Sequence, residues 1–138
     1  MLVFCHLALS LFAWDVGVYP HNSETYIASE WQKITYQDQQ VEARIIVDKR
    51  DVKFELKKNL FAEDWEIETK VSVGTSHKFK AKHIEPNIIT VIPEDSDRFL
   101  DDLLVGVLVV LRSDERASKK VDYGWQKINA SDIRSVWR

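Results

Sequence analysis

From Trp65 to His83 apolar and polar side chains alternate with a period of two. Trp65, Ile67, Val71 and Val73 share one parity, and Glu66, Glu68, Lys70 and Ser72 the other. After Gly74-Thr75-Ser76 the alternation resumes, with Phe79 and Ala81 opposed to Lys78, Lys80 and Lys82. Successive side chains of a strand point to opposite faces, so each run predicts a strand with one face in a core and one in water. The short glycine-containing turn between them predicts a hairpin. A second hairpin follows from Val41, Ala43, Ile45 and Val47, the polar turn Asp48-Lys49-Arg50-Asp51, and then Val52, Phe54 and Leu56. In both hairpins the apolar set is expected to face inward.

Further strands are expected at Trp31 to Tyr36, at Asn87 to Ile92 between Pro86 and Pro93, and at Val121 to Ile128. Val105 to Leu111 is apolar at nearly every position, the pattern of a strand buried on both faces. Phe99, Leu100, Leu103 and Leu104 suggest one or two helical turns. Residues 15–30 look irregular, with a turn at Pro20-His21-Asn22-Ser23 and Ser23 as cap of a short helix through Ile27. Ile133, Val136 and Trp137 suit a closing helical turn. The fold expected is all-β: an immunoglobulin-like antiparallel β-sandwich of about seven or eight strands, turns every ~8–12 residues, and a short C-terminal helical turn. A small β-barrel is the alternative. Trp31-Gln32-Lys33-Ile34 recurs as Trp125-Gln126-Lys127-Ile128. The flanks do not repeat, so this reads as coincidence between two strands rather than a solenoid repeat.

The chain has 138 residues, 45% of them hydrophobic, with five Trp and six Phe. That suits one domain with a real core. The division expected is an apolar N-terminal segment at residues 1–14 and a single β domain at 15–138. The segment is too short to span a bilayer as a helix. It reads either as a signal peptide cleaved after Ala13, which gives a secreted or periplasmic protein, or as a buried first strand of an intracellular one. Cys5 is the single cysteine, so no internal disulfide can form. A net charge of -3 lacks the basic surplus of a nucleic-acid binder.

Candidate chemistry is thin. His77 and His83 share a parity of one strand but lie ~20 Å apart along it, too far to share a metal ion. Cys5 and His6, as strand neighbours, point to opposite faces. Glu94, Asp95, Asp97 and Asp101 are a weak calcium candidate; without a glycine for the sharp turn they read better as helix-start carboxylates. Trp65 and Trp125 belong to the core, and Trp14 and Trp137 are freer to form a ligand platform. Asn129-Ala130-Ser131 fits a glycosylation acceptor. The clearest one-sign surface is Lys78, Lys80 and Lys82, which reads either as a docking stripe for an acidic partner or as lysines guarding a sheet edge.

Trp65-Glu66-Ile67, Asp102 to Leu111 and Val121-Asp122-Tyr123 occur in the order of similar features in the anti-silencing family of histone chaperones. The resemblance implies an immunoglobulin-like fold that binds histones through a strand edge; it carries no residue roles over to this chain. With no nucleophile–base pair, phosphate loop or ligand cluster in the pattern, the function expected is a non-enzymatic protein-binding or assembly module. No catalytic, cofactor or metal residues are assigned to it, and Lys78, Lys80 and Lys82 form its partner surface. The alternatives are a small-ligand or carbohydrate binder with exposed tryptophans, a histone-chaperone-like domain, and an enzyme whose acidic residues meet only in three dimensions.

Overall fold

The computed structural model describes residues 14–36, 39–60, 64–72, 74–105, 108–113 and 121–124. Ten strands and one helix follow in order: β1 (Asp15–Val18), β2 (Thr25–Ala28), β3 (Gln32–Tyr36), β4 (Gln39–Asp48), β5 (Val52–Leu56), β6 (Asp64–Ser72), β7 (Thr75–Glu85), β8 (Ile88–Val91), α1 (Pro93–Val105), β9 (Leu108–Ser113) and β10 (Val121–Gly124). The N-terminal segment before Trp14, the closing turn expected at Ile133 to Trp137, and Val73, Gly106, Val107, Trp125 and Asn129 lie outside the described residues, as does the side chain of Val71.

The described strands form one antiparallel sheet in the order β1-β2-β4-β5-β8-β7-β6-β9-β10, with β3 beside β4. This differs from the two facing sheets expected. The difference arises at β4, which is ten residues long and serves two partners. Its first half pairs with β3 and its last residues with β2. Between those partners Ser29 breaks the ladder and bridges it: its amide donates to the Ile45 carbonyl, and its hydroxyl accepts from the Ile45 amide at 2.9 Å. β10 comes back against β3, so the two ends of the sheet approach each other.

Both hairpins expected from alternation are present. β4 and β5 pair around Asp48–Asp51, and β6 and β7 around Gly74, whose φ of 80° is the left-handed conformation that glycine takes without strain. The inward parity is buried throughout: Val41, Ala43, Ile45 and Val47 on β4, Val52, Phe54 and Leu56 on β5, Trp65 and Ile67 on β6, Phe79 and Ala81 on β7. α1 lies over this inner face. Phe99 is fully buried, with its ring 6.1 Å from Phe54 and 5.5 Å from Phe79. Leu100 and Leu103 join it, while Glu94, Asp97, Arg98 and Asp101 face water.

Several expectations need correction. Residues 15–30 are not irregular: β1 and β2 pair as a hairpin. Ser23 caps no helix, because at φ 61° it sits in the left-handed region inside the turn, whereas a cap residue is extended. At Gly17 on β1 the Tyr26 ring lies across the strand, and a Cβ there would have to displace the end of that side chain. The helix is longer than one or two turns, running thirteen residues from Pro93 at a position where a missing amide hydrogen costs nothing. It takes in Asp102 to Val105, so the apolar run ending at Leu111 is split between helix and strand. Val105 is 58% exposed, whereas Val109, Val110 and Leu111 on β9 are fully buried, as expected for a strand covered on both faces.

Candidate functional site

The lysine stripe lies on the outer face of β7, and Lys78, Lys80 and Lys82 are all exposed. β7 is paired with β6 along its length and with β8 only from Ala81 to Glu85, so between Thr75 and Phe79 its second edge has no strand partner among the described residues. The register sets Lys82 opposite Asp64, Lys80 opposite Glu66 and Lys78 opposite Glu68. Glu66 and Glu68 are both engaged. Directly opposed side chains on one face of an antiparallel pair interact, so the stripe is one rail of a mixed-charge ladder. The acidic residues opposite the lysines sit in the same alternation, on the preceding strand.

The acidic run belongs to the start and exposed face of α1. Asp95 replaces a strand where β8 has ended: its Oδ2 accepts the Lys80 amide at 2.9 Å, while the Lys80 carbonyl accepts from the Ile92 amide. Arg98 lies 3.8 Å from the other Asp95 oxygen. Glu94, Asp97 and Asp101 line the water-facing side of the helix. Among the described residues no group of three or more His, Cys, Asp or Glu is placed to hold a metal ion.

Among the described residues, Trp14, Trp31 and Trp65 offer no open aromatic face, and Trp125 and Trp137 lie outside them. Trp65 is buried, and so is Trp14, which joins the core just before β1. The Trp31 ring is occupied by cations: the Arg44 guanidinium and the Lys57 ammonium each lie 4.6 Å from it. Glu55 holds Arg44 at 2.7 Å and Glu42 holds Lys57 at 2.9 Å.

Two polar clusters were not legible as sites. In the first, Asp48 closes the β4–β5 turn. Its Oδ1 accepts the amides of Arg50 and Asp51, and its Oδ2 accepts the Tyr19 hydroxyl at 2.8 Å and faces the Lys53 ammonium at 3.3 Å. Burial pushes the Asp48 carboxyl up, but these donors outweigh it and hold the group below its ordinary value. Burial raises the neighbouring Asp51 carboxyl, and Lys53 only partly offsets this. Burial, and then the Asp48 bond, raises the Tyr19 phenol, which therefore remains a donor. The Asp-x-x-Asp spacing of the turn was the available signal.

The second cluster joins three elements. Thr69 of β6 and His77 of β7 are cross-strand partners on the inner face. Asp102 of α1 comes down between them. Its Oδ2 accepts the Thr69 hydroxyl at 2.5 Å and lies 2.9 Å from His77 Nδ1, with Oδ1 at 3.1 Å from the same nitrogen. Thr69 is fully buried and the Asp102 side chain is 9% exposed, but the His77 side chain is 41% exposed. The distant His83 turns its Nδ1 to the Glu85 carbonyl at 3.0 Å instead.

β1 is the outermost strand on its side, with β2 as its one strand partner among the described residues. Val16 and Val18 share a face, at 63% and 58% exposed. Among the described residues no helix is long and apolar enough to cross a membrane. No family model, curated protein or solved structure matches this chain.

Proposed function

We propose that this protein is a binding module that takes up an extended polypeptide segment along β1. The observation that carries this reading is the combination on β1 of a backbone edge that is outermost among the described residues and two exposed valines on one face. Sheet proteins ordinarily blunt such an edge with charge, proline or a covering segment, because its unpaired amides and carbonyls template a further strand. Main-chain hydrogen bonds would supply affinity, and Val16 and Val18 would select apolar side chains at alternate positions of the incoming strand. The lysine stripe is a weaker docking surface for an acidic partner, since Asp64, Glu66 and Glu68 stand opposite it. The carbohydrate-platform alternative has less support from the described residues, where Trp14 is buried and Trp31 is covered by Arg44 and Lys57.

The test is affinity capture of partners by the full chain and by a Val16→Lys/Val18→Lys variant, with thermal melts alongside. Both side chains are exposed, so the fold should persist while capture is lost. Retention of the same partners by a folded double variant would sink the reading.

A further inference from the structure

We propose that Thr69, Asp102 and His77 form a general-base site in which His77 Nε2 acts on water to hydrolyse small acyl esters. This site is separate from β1, lying on β6, β7 and α1, and it gives the molecule a chemical capacity that peptide capture does not require. The argument begins with hydrogen bonding. An ionised carboxylate is acceptor-only, so both Asp102 neighbours must donate to it. Thr69 does so through its hydroxyl, and His77 does so through Nδ1. A neutral imidazole with its proton on Nδ1 carries a lone pair on Nε2, on the far side of the ring from Asp102. The carboxylate thus fixes one tautomer and one ring orientation, and it stabilises the imidazolium that forms when Nε2 takes up a proton. This is the role that a buried carboxylate plays toward the histidine base of hydrolytic triads.

Burial is graded in the order such a site needs. Thr69 is fully enclosed, Asp102 nearly so, and His77 reaches water. The Phe79 ring stands edge-on to the imidazole, with ring centroids 6.4 Å apart. Three separate elements converge on one carboxylate here, although a threonine and an aspartate inside an apolar interior are costly unless fully bonded. In the step proposed, Nε2 removes a proton from water as the water oxygen bonds to the acyl carbon. The carbon–oxygen bond to the alcohol then breaks, and the imidazolium proton passes to the leaving oxygen. An acid and an alcohol result, and His77 returns to its starting form. His77 is the catalytic residue; Asp102 and Thr69 are positioning residues.

The experiment uses the full chain and p-nitrophenyl acetate. His77→Gln should lower the rate at least about tenfold, as loss of a positioned base does. His21→Gln, at an exposed histidine elsewhere, should leave it unchanged. Asp102→Asn should lower the rate comparably with His77 intact, because the amide no longer selects the Nδ1–H tautomer. Thr69→Val should reduce it and Thr69→Ser restore it, which separates the hydroxyl from the space it fills should the Asp102 variant fail to fold. Nitrogen NMR of the wild type should show His77 protonated on Nδ1. An unchanged rate in His77→Gln, loss of the rate in His21→Gln, or a proton on Nε2 in place of Nδ1 would overturn the proposal.

Discussion

Asp48 shows at single-residue scale how burial and bonding compete. Removed from water, its carboxylate would be costly, yet it accepts from two amides and a phenol and faces Lys53. Because the folded value lies below the ordinary 3.8, the stabilisation is fully present above that pH and is lost as pH falls through the folded value. Asp48→Asn should therefore cost about 1–3 kcal/mol at neutral pH, the scale of a buried donor left unmet. Denaturant melts of both proteins across the acid range should show the gap closing below about pH 4. A gap that widens on acidification would reverse the assignment. Asp51 contributes in the opposite sense: its raised carboxyl is a cost at neutral pH that protonation relieves. The Asp-x-x-Asp turn was visible in the chain, but Tyr19 was not connected to it. No local periodicity brings a residue before β2 to a turn after β4.

Among the elements, the β6–β7 hairpin was the most legible and its meaning the least. Alternation alone placed Trp65, Ile67, Phe79 and Ala81 inside and the three lysines outside. Their acidic partners were also in plain view, but whether Lys80 meets Glu66 depends on register, which the turn around Gly74 sets. Replacing Lys78, Lys80 and Lys82 together with Glu would oppose like charges along the hairpin. The melting midpoint should fall, and added salt should restore part of it, because screening weakens repulsion between exposed charges. A midpoint indifferent to both changes would show that the ladder contributes nothing. The Thr69–Asp102–His77 cluster was illegible for a related reason. Thr69 and His77 meet only through hairpin register, and Asp102 arrives from α1, which the sequence had suggested would be much shorter.

For the molecule as a whole, α1 is what closes the interior. Phe99 touches the aromatic side chains of β5 and β7, so Phe99→Ala should cost about 3–5 kcal/mol, the loss typical of a buried aromatic with residual cavity. Chemical denaturation would measure it, and a loss under about 1 kcal/mol would mean that the helix is a peripheral cover. The order of the strands carries a further consequence, for the route by which the chain folds. Most pairings join strands adjacent in sequence, but β2–β4, β5–β8 and β6–β9 do not. The last of these spans two strands and α1, so its closure has the largest entropy to overcome. β9 would then dock last, onto a meander of β6, β7 and β8 already formed. Until it does, the apolar side chains of Val109, Val110 and Leu111 stand in water. A chain emerging from synthesis thus makes this apolar segment only after β6, the template that buries it.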